Sequence, residues 1–247
     1  MVNLSPGSKK AIRRKFPAGT NLKKELKKAM LRLKSLGVKY PPGYFEKLFR
    51  KYSKKSVAYP RTLMRLGKPN IRKHPQYLKI LHKRGRLLDY GCGTGDDMRE
   101  LIRDSYPPEK VRGYDVDWRC ICLGFDLYVD GEKTRPRFTV SRRFPFRGAR
   151  FDAVYSGSVL HVLKDRDTVA AYLSNACSAL RPGGVIFGST METLVDGKKC
   201  RECGVLKKDG LRCILDETGF GNIRILRKYN RTRDSHRNRL WFYAVKK

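Results

Sequence analysis

The sequence predicts an α/β fold, a Rossmann-like sheet of mostly parallel strands with helices on both faces, and three observations carry that expectation. An apolar run, Leu87-Leu88-Asp89-Tyr90, leads directly into the glycine-rich turn Gly91-Cys92-Gly93-Thr94-Gly95. The turn opens onto Asp96-Asp97-Met98-Arg99-Glu100-Leu101-Ile102-Arg103, whose apolar residues recur at helical spacing. A second strand-like run, Val111-Arg112-Gly113-Tyr114, then ends in Asp115. Strand, turn, helix, strand and terminal acid fall within about 30 residues, the length of one βαβ unit.

Upstream of this unit the composition changes. The 247-residue chain carries a formal net charge of +33, and residues 1–86 hold 26 Lys and Arg against only Glu25 and Glu46. The expected organisation is a basic, partly helical extension over residues 1–60 followed by one α/β domain over 61–247. Residues 1–16 have too few apolar side chains to fold alone and are expected to be disordered. Pro17-Ala18-Gly19-Thr20 reads as a turn. Asn21 to Leu36 reads as a helix, with Leu22, Leu26, Met30, Leu31, Leu33 and Leu36 for a packed side and Lys23, Lys24, Lys27, Lys28, Arg32 and Lys34 for a positive one. Tyr44 to Tyr52 interleaves aromatic and cationic residues.

Downstream, Thr168 to Leu180 has Val169, Tyr172, Leu173, Ala176 and Leu180 at three and four, with Asp167 as the expected N-cap. Leu180-Arg181-Pro182-Gly183-Gly184 should stop that helix, because Pro cannot continue it and Gly permits a left-handed turn. Val185-Ile186-Phe187-Gly188 is the next strand. Asp209 to Phe220 reads as a helix ended by Gly219, and Asn222 to Tyr229 and Arg239 to Val245 as two strands around a basic loop, Asn230 to Asn238.

The glycines of the turn let the backbone take positive φ and approach a ligand closely, and the helix that follows offers unpaired N–H groups. A nucleotide-like cofactor is the expected occupant, with Asp115 accepting from ribose hydroxyls. On these residues the chain resembles the class I S-adenosylmethionine-dependent methyltransferases. That resemblance implies an acid before the glycines, matched by Asp89, a glycine turn beneath the methionine moiety, and Asp115 on the ribose. Phe151-Asp152-Ala153-Val154-Tyr155-Ser156 looks like the family's fourth strand, and the Leu180 to Gly188 passage is a family trait. The implied cofactor-binding residues are Asp89, Gly91, Cys92, Gly93, Thr94, Gly95, Asp115, Val116, Tyr155 and Ser156. The implied sheet is seven-stranded, with the last two strands as an antiparallel edge.

A closer resemblance, over roughly residues 61–190, is to fungal methyltransferases of terpenoid and polyketide tailoring. It is carried by His74 to Leu81, Asp97 to Leu101 and Leu123 to Asp130. It implies a small organic acceptor, since those relatives methylate small molecules, often at a carboxylate or hydroxyl; transfer to an oxygen or nitrogen of such a molecule is the expected reaction. Where those relatives tend to have an acid after strand three, this chain has Phe138-Thr139-Val140-Ser141-Arg142-Arg143. A fainter likeness to messenger-RNA cap guanine methyltransferases covers only Leu173 to Cys177 and Gly188 to Thr190.

His161 follows the fourth strand, matches a histidine of the fungal relatives, and has the ordinary pKa of a general base near neutral pH. A packing or substrate-orienting histidine is the competing reading. The charge surplus suits RNA as an alternative substrate held by the basic N-terminal region, or a catalytically silent, nucleic-acid-binding protein on the same fold. No apolar run is long enough for a membrane span. Seven cysteines without a secretory signal suggest an intracellular, reducing compartment, cytoplasmic or nuclear, with a mitochondrial address open from the basic, acid-poor start. Cys200 and Cys203, with Cys213 beyond them, form a partial zinc set, since two thiolates at that spacing can share one tetrahedral ion. An insertion over 196–210 with incidental thiols is the preferred reading. Nothing in the sequence sets an oligomeric state.

Overall fold

The apolar runs resolve into one seven-stranded sheet in the computed structural model, which describes residues 21–53, 62–192, 206–228 and 238–247. Among the described residues α1 (Leu22–Ser35), α2 (Tyr44–Ser53) and α3 (Thr62–Arg65) come first. After α4 (Tyr77–Lys83) come β1 (Leu87–Tyr90), α5 (Asp96–Arg103), β2 (Val111–Asp115), α6 (Trp118–Tyr128), a short α7 (Gly131–Thr134) and β3 (Phe138–Val140). The second half runs β4 (Phe151–Gly157), α8 (Arg166–Ala179), β5 (Leu180–Met191), α9 (Lys208–Glu217), β6 (Phe220–Lys228) and β7 (Arg239–Lys246). The strand order is β3-β2-β1-β4-β5-β7-β6, with β7 antiparallel to both of its neighbours and the other pairs parallel. The order reverses between β1 and β4, so a crevice opens at their carboxyl ends, the place where open α/β sheets bind ligands.

All four residues of β1 are buried, as a strand covered on both faces requires. On one face Leu88, Val154, Ile186 and Phe242 pack with Val169, Tyr172 and Leu173 of α8 and Leu211, Ile214 and Leu215 of α9. On the other, Leu87, Ala153, Tyr155 and Phe187 pack with Met98 and Leu101 of α5 and Ile121 and Phe125 of α6. Alternation along each strand sends neighbours to opposite cores.

A third apolar cluster lies outside the sheet. Leu26, Ala29, Met30 and Leu33 of α1, with Leu48 and Tyr52 of α2, pack on Leu123, Leu127 and Tyr128 of α6. Asp126 fixes the contact, accepting from Lys51 Nζ and Tyr52 Oη. The helix expected from Asn21 is present and Asn21 caps it, accepting from Lys24 N at 3.0 Å. Its packed stripe is narrower than expected, because Leu31 and Leu36 are exposed while Ala29 is buried. Arg32 also leaves the positive face: its guanidinium donates to Leu63 O (2.8 Å) and Leu66 O (2.9 Å), joining α1 to α3.

Other expectations need correction. The N-cap of α8 is Asp165, not Asp167: its backbone is extended, and Oδ1 accepts from Thr168 N at 2.8 Å. The Pro-Gly-Gly passage lies inside β5. Leu180 pairs with Phe151 and Val185 with Ala153, so residues 181–184 bulge, with Gly183 at φ +70. β6 begins at Phe220, two residues early, with an irregular register near Asn222. Residues 1–20, Cys200, Cys203 and most of the loop after β6 lie outside the described residues; Cys213 is exposed on α9. Among the described residues no cluster of His, Cys, Asp and Glu is arranged to hold a metal ion, and no helix is long and apolar enough to cross a membrane.

Candidate active site

The three glycines of the turn share positive φ, +76 at Gly91, +54 at Gly93 and +74 at Gly95, but meet different surroundings. A Cβ on Gly91 would lie 2.5 Å from Val159 Cγ2, and one on Gly95 would lie 2.5 Å from Phe138 Cζ. A Cβ on Gly93 would meet nothing within 4 Å. Gly91 and Gly95 are therefore closed in by protein, whereas Gly93 presents an open face.

Below, the turn is held by Arg99. This buried guanidinium donates to Thr94 O at 2.6 Å, pairs through Nε and Nη2 with Asp130, and lies 4.1 Å from the centre of the Tyr128 ring. Gly124 lets α6 come close, since a Cβ there would sit 2.2 Å from Thr94 O. Asp115 fixes the upper strand of the turn: Oδ2 accepts from Gly93 N and Oδ1 from Asp117 N, both at 2.9 Å.

Four carboxylates surround the turn. Asp89 is buried, and its Oδ2 has no hydrogen-bond partner among the described residues. Asp96 accepts from Gly67 N and Tyr128 Oη, each at 2.6 Å, and from Thr94 Oγ1. Asp97 accepts from Asn70 N (2.7 Å) and Ile71 N (2.8 Å). Burial first, then the neighbouring acids, pushes Asp89 well above the usual carboxylate range and Asp97 up to about 6. Burial also raises Asp115 and the Cys92 thiol. A cluster of this kind strains against its own charge and favours a cationic or N–H-bearing occupant.

The cofactor residues expected on β4 lie elsewhere than the turn's surface. Tyr155 is fully buried with its ring 5.1 Å from Phe187, and its hydroxyl, near Asp97, has no hydrogen-bond partner among the described residues. Ser156 is also sealed and accepts from Tyr172 Oη at 2.9 Å. Both are core residues behind the crevice. Val116, by contrast, is exposed beside Asp115, next to the part-exposed Trp118.

His161 stands in a turn after β4 (Leu160–Val162), its Nδ1 3.3 Å from Thr190 Oγ1 and 3.5 Å from Met191 N. The Met191 N–H makes Nδ1 an acceptor, so the neutral ring carries its proton on Nε2. Sequence reading missed Asp96, Asp97 and Arg99; two acids in the first turn of a helix were the available signal, though they read equally as partners of its dipole. It also missed the role of His74, a buried ring held below its ordinary pKa, at about 4, by burial. Its Nε2 is 3.1 Å from Phe242 O, linking the chain before β1 to β7.

A family model described as a methyltransferase domain matches residues 44–238. Methyltransferase adrK of Penicillium rubens is 31% identical over 116 residues, covering 44% of this chain and 42% of that protein. The Asnovolin E/Chermesin D methyltransferase nvfJ of Aspergillus novofumigatus is 27% identical over 48% of this chain and 47% of its own length. The chain thus matches about half the length of these curated relatives. Among solved structures, phosphoethanolamine N-methyltransferase 2 of Haemonchus contortus, in complex with S-adenosyl-L-methionine, superposes with a TM-score of 0.52 at 21% identity, over 69% of this chain and 52% of that one. The [4+2]-cyclase SpnF gives 0.54 at 17% identity, over 68% and 78%. Likenesses this distant establish the fold, and a cyclase among them shows that the fold alone does not fix the reaction.

Proposed function

The chain belongs to the methyltransferase-domain family, and from that premise we propose that it binds S-adenosylmethionine across the Gly91 to Gly95 turn and methylates an oxygen or nitrogen of a small organic molecule. The open face of Gly93, flanked by Asp89 and Asp115, carries this reading. The residues fit the cofactor: an unpartnered buried carboxylate oxygen and three further acids suit a cation with an ammonium group, and Asp115 retains lone pairs for ribose hydroxyls. Val116 and Trp118 offer apolar surface beside them for a base ring.

The cofactor's sulfonium supplies a methyl group already activated for transfer, so the protein's task is alignment and exclusion of water. The acidic turn favours a cationic ligand over a neutral product, which aids turnover. With Nδ1 accepting from Met191 N–H, His161 presents a donor at Nε2, and its role is to orient an acceptor oxygen rather than to remove its proton.

The named relatives support a small acceptor. The exposed lysines of α1, Lys23, Lys24, Lys27 and Lys28, support RNA as the second reading. Incubation with methyl-labelled S-adenosylmethionine and a cell extract separates the two. Label in the organic-soluble fraction is the expected result. Label in RNA, lost when the α1 lysines are changed to Gln, would overturn it.

A further inference from the structure

The two sides of β7 are unequally covered. Successive residues of a strand point to opposite faces, so Leu240, Phe242 and Ala244 enter the core shared with α8 and α9, while Tyr243 and Val245 belong to the opposite side, that of α4 and α5. Directly paired residues share a face. Tyr243 stands opposite Arg224, Trp241 opposite Leu226 and Arg239 opposite Lys228, which places those three residues of β6 on the same side. Over β1, β4 and β5 that side is closed by apolar residues of α4, α5 and α6. Over β6 and β7 the cover stops: Tyr243 and Val245 are half-buried at the fringe of that core, and Leu226, one strand further out, is 57% exposed.

The cations of this strip differ in their engagement. Arg239 is held, its Nη1 donating to Ser158 Oγ (3.2 Å) and Ser189 Oγ (3.0 Å), hydroxyls at the carboxyl ends of β4 and β5. Arg224 and Lys228, two positions to either side of Leu226, are exposed and form no ion pair among the described residues. An exposed leucine is thus bracketed by two unneutralised cations. β6 is also the last strand of the sheet, and cations along an edge discourage the addition of a further strand. The open face, rather than the open edge, is the surface fit for a partner.

We propose that this face of β6 and β7 docks an amphipathic helix of a partner protein, with the helix's apolar stripe on Leu226, Tyr243 and Val245 and its acidic flanks on Arg224 and Lys228. A helix there continues the layer that α4 and α5 form on the same side of the sheet. The charges select the occupant. A second copy of this chain would set Arg224 and Lys228 against their own counterparts, between molecules that each carry a net charge of +33. A bilayer would meet the protruding Leu226 but not the half-buried Tyr243 and Val245, which a narrow helix can reach.

The test uses the whole chain and a fluorescein-labelled 18-residue helical peptide with Leu and Ala on one face and Glu on the other, followed by anisotropy. Controls are a scrambled peptide of the same composition and the same helix with Lys for Glu. The acidic helix should bind at least tenfold tighter than either control. Leu226→Asp should weaken it at least tenfold, and Arg224→Gln with Lys228→Gln should weaken it several-fold and flatten its dependence on salt. Equal binding of the scrambled peptide, which would reduce the contact to the chain's overall charge, overturns the proposal, as does binding that survives Leu226→Asp. Leu226-dependent dimers in sedimentation, or Leu226-dependent capture by phosphatidylserine vesicles, would overturn it in favour of a second copy or a membrane. Should Leu226→Asp fold poorly, the paired Gln variant and the peptide controls decide.

Discussion

Replacing Gly93 by alanine separates folding from binding at a single methyl group. At φ +54 a non-glycine residue costs about 1–2 kcal/mol, and nothing within 4 Å adds a clash. For a chain of this size each 1 kcal/mol lowers Tm by about 2–4 °C. Gly91→Ala incurs the same backbone cost and also drives Cβ to 2.5 Å from Val159 Cγ2, and overpacking of that kind adds about 1–3 kcal/mol. Thermal melts of the two variants, with S-adenosylhomocysteine calorimetry alongside, give the readout. Gly93→Ala should melt within a few degrees of wild type yet bind S-adenosylhomocysteine at least tenfold more weakly, because its methyl group fills the face the cofactor covers. Gly91→Ala should lose more stability. Unchanged affinity in Gly93→Ala would show that the cofactor does not lie there, and a melt as low as that of Gly91→Ala would show that the space is not open.

Asp115→Ala removes the acceptor of Gly93 N and of the ribose, and calorimetry should show S-adenosylhomocysteine affinity down at least tenfold. Asp97 is held at about 6 against 3.8 when free, so its proton binds more tightly in the folded chain. Its stabilising contribution is full below about pH 4 and lost as pH rises through 6. Denaturant melts should therefore show wild-type stability falling relative to Asp97→Asn across that window, by about 1–3 kcal/mol, and a rising difference would refute the assignment. His161→Gln, which keeps a donor, should retain methyl transfer within about tenfold, whereas loss of a general base costs about 10²–10⁴; single-turnover rates decide. Asp126→Ala leaves Lys51 and Tyr52 without their acceptor and should destabilise by about 1–3 kcal/mol, visible as earlier proteolysis within α2.

The βαβ unit was legible because its information is local: an apolar run, three glycines and an acid placed within a few turns of chain. The turn residues of the site shared that advantage. Asp165 was misread because two acids stand two positions apart, and only the extended backbone at the first distinguishes them. Tyr155 and Ser156 lie in opposite cores because strand alternation gives them opposite faces, both covered by helices, which a resemblance at one strand end does not reveal. Arg239 carried no signal at all. Its serine partners are 81 and 50 residues away, and its environment exists only after β4, β5 and β7 have been laid side by side.

Asp96 and Asp97 grip the chain before β1 through the main-chain N–H groups of Gly67, Asn70 and Ile71, not through their side chains. Gly67 keeps a separate constraint, with φ +73 and Leu33 3.2 Å from where a Cβ would stand, and Ile71 is locked in the core. Asn70 has neither. Among descendants of this chain position 70 is therefore free to drift through almost any residue while its acidic partner stays fixed, and proline, which has no N–H to offer, is the one replacement that the joint rejects outright.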